Sequence, residues 1–173
     1  MKPLLRQARA EDAEALLAIY RPFVAAPGYC FETAAPSVAE FAERIRAALE
    51  HWDWLLAEAD GEVLGYAYAG PHRARAAYRW SCEVSVYLAP AAQGRGLGRA
   101  LYASLFERLA ERGYCNALAV LVEPNPGSAA FHAAMGFRRV GVFERAGYKQ
   151  ERWWDVAWWQ RRLREDDPPP ALT

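Results

Sequence analysis

The residues that could do chemistry fall in three stretches. Gln93-Gly94-Arg95-Gly96-Leu97-Gly98-Arg99 lies between a strand pattern and a helix pattern. Glycines let backbone N–H groups crowd around an oxyanion, the helix start adds its dipole, and Arg95 and Arg99 add charge, so the chemistry is anion binding. A plain tight turn is the other reading of the same glycines. A dinucleotide fingerprint fails because G-x-G-x-x-G would need glycine at Arg99, and a P-loop fails because no Lys-Ser/Thr follows. Upstream, Cys82 to Leu88 alternates, with Glu83, Ser85 and Tyr87 on one face and Cys82, Val84, Val86 and Leu88 on the other. A carboxylate on a central strand is costly to bury without purpose, although an ion pair with Arg79 or Arg75 would account for it. Downstream, Asn125 between two prolines reads as a turn residue, Ser128 as a helix cap and His132 as a partly exposed helix histidine.

The elements that must position these residues follow from periodicity. Leu4 to Ala8 reads as a strand and Ala10 to Tyr20 as a helix that Pro22 ends or bends. Ala26 to Pro36 is a loop. Ser37 and Glu40 form a capping box for a helix with Val38, Phe41, Ile45 and Leu49 as its apolar stripe. Trp54–Ala59, Asp60-Gly61 and Glu62–Ala69 give a hairpin. Pro71 to Arg79 is a basic loop, in which solvation is the plain reading of Arg73 and Arg75. A helix runs from Leu97 to a C-cap at Arg112 and Gly113, and Ala117 to Val122 is an apolar run typical of a buried strand. A short helix from Ser128 to Gly136 precedes two last strands, Phe137–Phe143 and Asp155–Leu163. The order predicts an α/β fold of the mixed, α+β kind, with a largely antiparallel first half. Residues 1–165 form one domain, and 166–173, with three prolines in a row, form a loose tail.

Composition sets the limits. The chain has 173 residues, 53% hydrophobic and 24% charged, with 21 basic and 21 acidic residues, so no nucleic-acid partner is expected. Nineteen of the basic residues are arginines, which favour paired contacts to phosphate and carboxylate, although genome composition produces the same bias. No apolar stretch reaches membrane-spanning length and the first residues carry no signal-peptide core, so no membrane partner and a cytoplasmic setting are expected. Cys30, Cys82 and Cys115 are too few and too scattered for a disulfide framework or a zinc site, and no metal is expected. Trp153, Trp154, Trp158 and Trp159 exceed what a small core needs, and a homodimer contact is expected there, with core packing as the other reading.

Gln93-x-x-Gly96-x-Gly98 after Val86-Tyr87-Leu88 resembles the acetyl-CoA pyrophosphate loop of the GNAT N-acetyltransferase superfamily. Glu123 to Ser128 followed by Phe131 to Phe137 resembles its second cofactor segment. Cys30-Phe31-Glu32-Thr33, Gly70 to Arg75 with Tyr78, Trp80 to Tyr87, and Gly147-Tyr148-Lys149 with Trp153-x-Asp155-Val156 resemble the phosphinothricin N-acetyltransferase family, over roughly residues 4 to 163. The chain departs from that pattern at Cys30, at His72, which stands where the family has an aromatic, and in the loop Ala26 to Tyr29.

The resemblance implies the GNAT acyl-CoA N-acyltransferase fold, a central mixed sheet flanked by helices. It implies acetyl-CoA as co-substrate, entering a splay between Cys82–Leu88 and Ala117–Val122. Val86, Tyr87 and Leu88 would meet the pantetheine arm, the first and last by main chain as an added strand would. Gln93, Gly94, Arg95, Gly96, Leu97, Gly98 and Arg99 would hold the pyrophosphate, and Asn125 and Ser128 the pantetheine end. Glu83 matches the position of the base that takes a proton from the attacking amine. His132 falls where many relatives place the residue that protonates or polarises the leaving thiolate. Phe31, Glu32, Arg73, Arg75 and Tyr78 would contact the acceptor, a small acidic amino acid or analogue of the phosphinothricin or methionine sulfoximine type. An acetyltransferase for another amine (peptide N-terminus, polyamine, aminoglycoside) and a non-catalytic acyl-CoA sensor are the competing readings.

Overall fold

A computed structural model describes residues 3–173, so the first two positions of the expected domain 1–165 lie outside the described residues. The elements are β1 (Leu4–Gln7), α1 (Ala13–Ala25), α2 (Val38–His51), β2 (Trp54–Ala59), β3 (Glu62–Pro71), β4 (Ser81–Leu88), α3 (Leu97–Glu111), β5 (Asn116–Glu123), α4 (Pro126–Ala134), β6 (Arg138–Lys149) and β7 (Arg152–Arg162). The strands form a single sheet in the order β1-β2-β3-β4-β5-β7-β6. Every pair is antiparallel except β4 with β5. The residue pattern predicted a mixed fold with a largely antiparallel first half, and the observed mixed, mostly antiparallel sheet flanked by helices is the architecture that the resemblance implied.

Helices cover both faces of the sheet, which is why β2 reads as an unbroken apolar run. On one face Leu55 and Ala57 join Cys82, Val84, Ala117 and Ala119 beneath Leu101, Tyr102, Leu105 and Leu109 of α3. On the other, the alternate residues Trp54 and Leu56 join Tyr66 beneath Leu16, Leu17 and Tyr20 of α1 and Phe41 and Ile45 of α2. Ser37 and Glu40 close the expected capping box on α2. Asp60 (φ 53°) and Gly61 (φ 81°) make the two-residue turn that a tight hairpin requires.

The structure corrects several local expectations. Pro22 does not end α1: its carbonyl still accepts the Ala26 N–H (2.9 Å), and Val24 beyond it packs into the core. Val38 and Val120 are exposed rather than part of buried stripes. The last two strands are longer than their apolar runs, because Gln150 (φ 51°) and Glu151 (φ 59°) form a tight turn without glycine. The tail is not loose. The Trp80 indole N–H donates to the Pro170 carbonyl (2.7 Å), the Thr173 N–H donates to the Arg112 carbonyl (3.1 Å), and Leu172 packs on the α3 side of the core.

Candidate active site

The parallel pairing of β4 and β5 runs through Ser81–Asn116 and Cys82–Ala117 and stops at Glu83–Leu118. Beyond that rung both strands continue, β4 to Leu88 and β5 to Glu123, without pairing to each other. The gap is a cleft of about 330 Å³ lined by Val84 to Leu88 on one side and Ala119 to Val122 on the other. Unpaired main-chain groups along an open strand edge suit an extended ligand that adds itself as a strand. The Tyr87 side chain turns instead to the other face of the sheet, edge-on to Tyr20 (5.0 Å) and to Phe23 (5.1 Å), which itself lines the cleft. The Leu88 carbonyl takes a long contact from Gln93 Nε2 (3.5 Å).

The glycine loop crosses the top of this cleft. Gly94 (φ 72°) and Gly96 (φ 80°) are left-handed, and Gly96 is the residue from which α3 starts. Gln93 and Gly98 line the cleft, whereas Arg95, Gly96 and Leu97 line a second cavity toward β1 and β3. The Leu97 side chain is buried in the core, so only its main chain could face an anion. A Cβ on Gly98 would meet the Phe131 ring at 3.4 Å, an ordinary packing contact. Arg99 is exposed on the first turn of α3.

On α4 the cap is Asn125, whose Oδ1 accepts the Ser128 N–H (3.1 Å), and not Ser128 as the sequence suggested. Ser128 lies inside the first turn. Its carbonyl accepts Nδ1–H of His132 (2.8 Å). His132 is buried, not partly exposed. With Nδ1 donating, Nε2 accepts from the Tyr102 hydroxyl (3.2 Å). Burial holds the imidazole below the usual histidine range, against the opposing pull of the Ser128 carbonyl, so the ring is neutral near pH 7. Asn125, Ser128, His132 and Tyr102 all line the cleft. Tyr102 escaped sequence reasoning because it sits on the apolar stripe of α3 and looks like packing.

Glu83 pairs with neither Arg75 nor Arg79. Its Oε1 lies 3.0 Å from His72 Nδ1, while Arg79 stacks over Trp80 (4.2 Å). Arg73, Arg75 and Tyr78 are exposed on the loop after β3. All three line one surface cavity, and Arg73 and Tyr78 also line another with His72, Phe143 and Trp158. Phe31 and Glu32 line neither. The Glu32 carboxylate is held by Arg44 (2.6 and 3.2 Å) and the Tyr20 hydroxyl (2.9 Å), which keep it below the usual carboxylate range against the cost of burial. It is an anchor for its loop. Phe23 and Tyr29, which the sequence did not single out, line the cleft where it opens on the α1 side of the sheet.

That loop is fastened by the β6–β7 hairpin, which gives Gly147-Tyr148-Lys149 a physical role. Lys149 is buried and its Nζ donates to the carbonyls of Val24 (2.7 Å) and Cys30 (2.9 Å). Gln150 Nε2 donates to the Ala25 carbonyl (2.8 Å). The Phe31 ring lies where a Cβ on Gly147 would project, and Trp154 packs against Gly28. Lys149→Met keeps the stem but strands two carbonyls, each worth about 1–3 kcal/mol when left unpaired. The expected result is a stability loss of about 2–4 kcal/mol, read by denaturant unfolding together with a raised KM for the acceptor. Unchanged unfolding would show that the loop is held without Lys149.

Comparison with known proteins agrees with this geometry. The acetyltransferase (GNAT) domain family matches residues 5–158. A phosphinothricin N-acetyltransferase of Streptomyces viridochromogenes is 35% identical over 165 residues, covering 95% of this chain and 90% of that protein. Another of that name, from Streptomyces coelicolor, is 51% identical over 102 residues, a match that spans only 59% of this chain and 60% of the relative. The crystal structure of a GNAT superfamily phosphinothricin acetyltransferase from Sinorhizobium meliloti in complex with AcCoA superposes with a TM-score of 0.92 at 36% identity, over 100% of this chain and 95% of the other.

Proposed function

This chain belongs to the GNAT acetyltransferase family, and on that premise we propose that it moves acetyl from acetyl-CoA to the amine of a small acidic amino acid or analogue, with Glu83 as general base. The observation that carries the reading is the end of the β4–β5 ladder at Glu83–Leu118. It leaves an open strand edge for an extended arm, with a base candidate at the fork. The residues fit the co-substrate: the cleft is long and half apolar, and the left-handed Gly96 has no atom within 4 Å of where a Cβ would stand, which leaves its backbone approachable. Gln93, Gly98, Asn125 and Ser128 would hold acetyl-CoA, which supplies the thioester. Glu83 takes a proton from the acceptor's ammonium, directly or through water, so that its nitrogen lone pair becomes free to attack. His132 spends its one N–H on the Ser128 carbonyl and its Nε2 lone pair on the Tyr102 hydroxyl, so in this tautomer it orients Tyr102 in the cleft and has no proton to offer the leaving thiolate.

Relatives named for phosphinothricin and for L-methionine sulfoximine support an amino-acid analogue that carries a carboxylate as acceptor. Arg73 and Arg75 are exposed, and neither is paired with a carboxylate among the described residues. Free guanidinium groups suit a phosphinate or carboxylate. The test is release of free thiol from acetyl-CoA across an amine panel, with Arg73→Ala and Arg75→Ala run beside the parent. Phosphinothricin and methionine sulfoximine should be acetylated. Each arginine variant should lose about 1.5–3 kcal/mol, roughly 10–150-fold in kcat/KM, with these acceptors and far less with an uncharged amine. Equal losses for both acceptors would remove the arginines from acceptor binding, and no thiol release with any amine would remove the enzymatic reading.

The same reading covers the rest of the chain. Residues 1–165 act as one acetyltransferase domain. A homodimer is supported less by the tryptophan cluster than by β6, because Trp154 and Trp159 are core residues while Val140, Phe143 and Tyr148 lie exposed along that edge strand beside Trp153. A cytoplasmic location is supported by Cys30, Cys82 and Cys115, all free.

A further inference from the structure

We propose that His72 is a positioning residue for Glu83, holding one carboxylate oxygen so that the other faces its proton donor in a fixed orientation. The inference rests on Glu83 being the base. His72 Nδ1 and Glu83 Oε1 are 3.0 Å apart, and because a carboxylate only accepts, Nδ1 carries the proton. The two side chains meet because β3 and β4 pair antiparallel through Gly70–Glu83 and Pro71–Cys82, which carries the chain straight on to His72 beside the strand that bears the base.

The ring is held on two sides. Tyr78 lies edge-on at 5.8 Å, from the loop that carries Arg73 and Arg75, and Trp158 of β7 lies edge-on at 5.5 Å. The His72 side chain is 11% exposed and that of Glu83 is 35% exposed. A carboxylate that is one-third exposed would otherwise sample several rotamers, and a base that must meet its proton within hydrogen-bond reach loses rate when it does. Oε2 of Glu83 has no protein hydrogen-bond partner among the described residues, and Oε1 has only His72. His72 thus both packs between Tyr78 and Trp158 and donates to Glu83.

Two replacements separate packing from hydrogen bonding. His72→Phe keeps a ring between Tyr78 and Trp158 and removes the donor. His72→Asn loses much of the ring but keeps an N–H close to the place of Nδ1. The measurement is kcat and KM for each, in the parent and in the Glu83→Gln background. His72→Phe should lower kcat by about 10–100-fold, the range for losing a group that orients a reacting residue. KM for acetyl-CoA should stay unchanged, His72→Asn should recover most of the loss, and adding His72→Phe to Glu83→Gln should cost nothing more. Parent-like kcat in His72→Phe, an equal loss in both backgrounds, or failure of His72→Asn to exceed His72→Phe would each overturn the proposal. A loss at Glu83 with none at His72 sinks this inference alone, whereas a fully active Glu83→Gln sinks the base assignment and this inference with it.

Discussion

Replacing Glu83 with glutamine should lower kcat by about 10²–10⁴-fold, the range for losing a general base. The amide has the same shape and its oxygen can still accept from His72 Nδ1, so the bond now 3.0 Å long survives and the fold is undisturbed. What disappears is the ability to take a proton. An ammonium has no lone pair with which to attack, so the barrier rises by the full cost of finding another acceptor. Acetyl-CoA affinity should barely move, because the cleft is lined by Val84 to Leu88, Ala119 to Val122 and the α4 cap, and Glu83 is not among those residues. The parent rate should climb with pH as the acceptor amine loses its proton, and the variant should keep that climb at its much lower rate. Near-normal turnover at neutral pH would leave Glu83 as the partner of His72 and nothing more.

The second large effect is expected at the glycine loop. Gly96→Val should abolish acetyl-CoA binding at concentrations that saturate the parent, measured by isothermal titration. Gly96 has φ 80° at the start of α3. A β-branched residue is strained in that region, so the loop must shift to accept it. If it does not shift, the new side chain projects into space that holds no protein atom within 4 Å, over the backbone where an oxyanion would meet the first-turn N–H groups. Either outcome removes the cradle. The core is spared, because Leu97 and Leu101 of the same helix remain buried beneath it. A folded Gly96→Val protein with parent affinity would mean that the pyrophosphate lies elsewhere.

Sequence reasoning located elements and motifs well where a local signal was strong. The capping box at Ser37 and Glu40, the Asp60-Gly61 turn, the glycine loop between β4 and α3 and the alternation of Cys82 to Leu88 all depend on near neighbours in the chain, and each is found where it was expected. The order of strands and helices followed from them. The resemblance to the GNAT N-acetyltransferase superfamily implied acetyl-CoA and an acetyltransferase, in agreement with the family match over residues 5–158.

The pairings across the sheet were not legible. A carboxylate on a strand states that it needs a partner but not which, and two nearby arginines looked as suitable as the histidine that the β3–β4 register delivers. Glu32 seemed available to an acceptor until α2 brought Arg44 to it. His132 passed for a surface residue because α4 is short, and only its packing against Tyr102 and Phe137 buries it. The long β6–β7 hairpin was hidden because its turn has no glycine, and Lys149 and Gln150 hold it through carbonyls more than a hundred residues away. The sequence by itself determined the fold class, since periodicity acts over a few residues, and its resemblance to a family carried the class of reaction. Only the tertiary structure decided which oxygen each donor reaches, because hydrogen bonds and burial depend on distances that are set when the whole sheet closes.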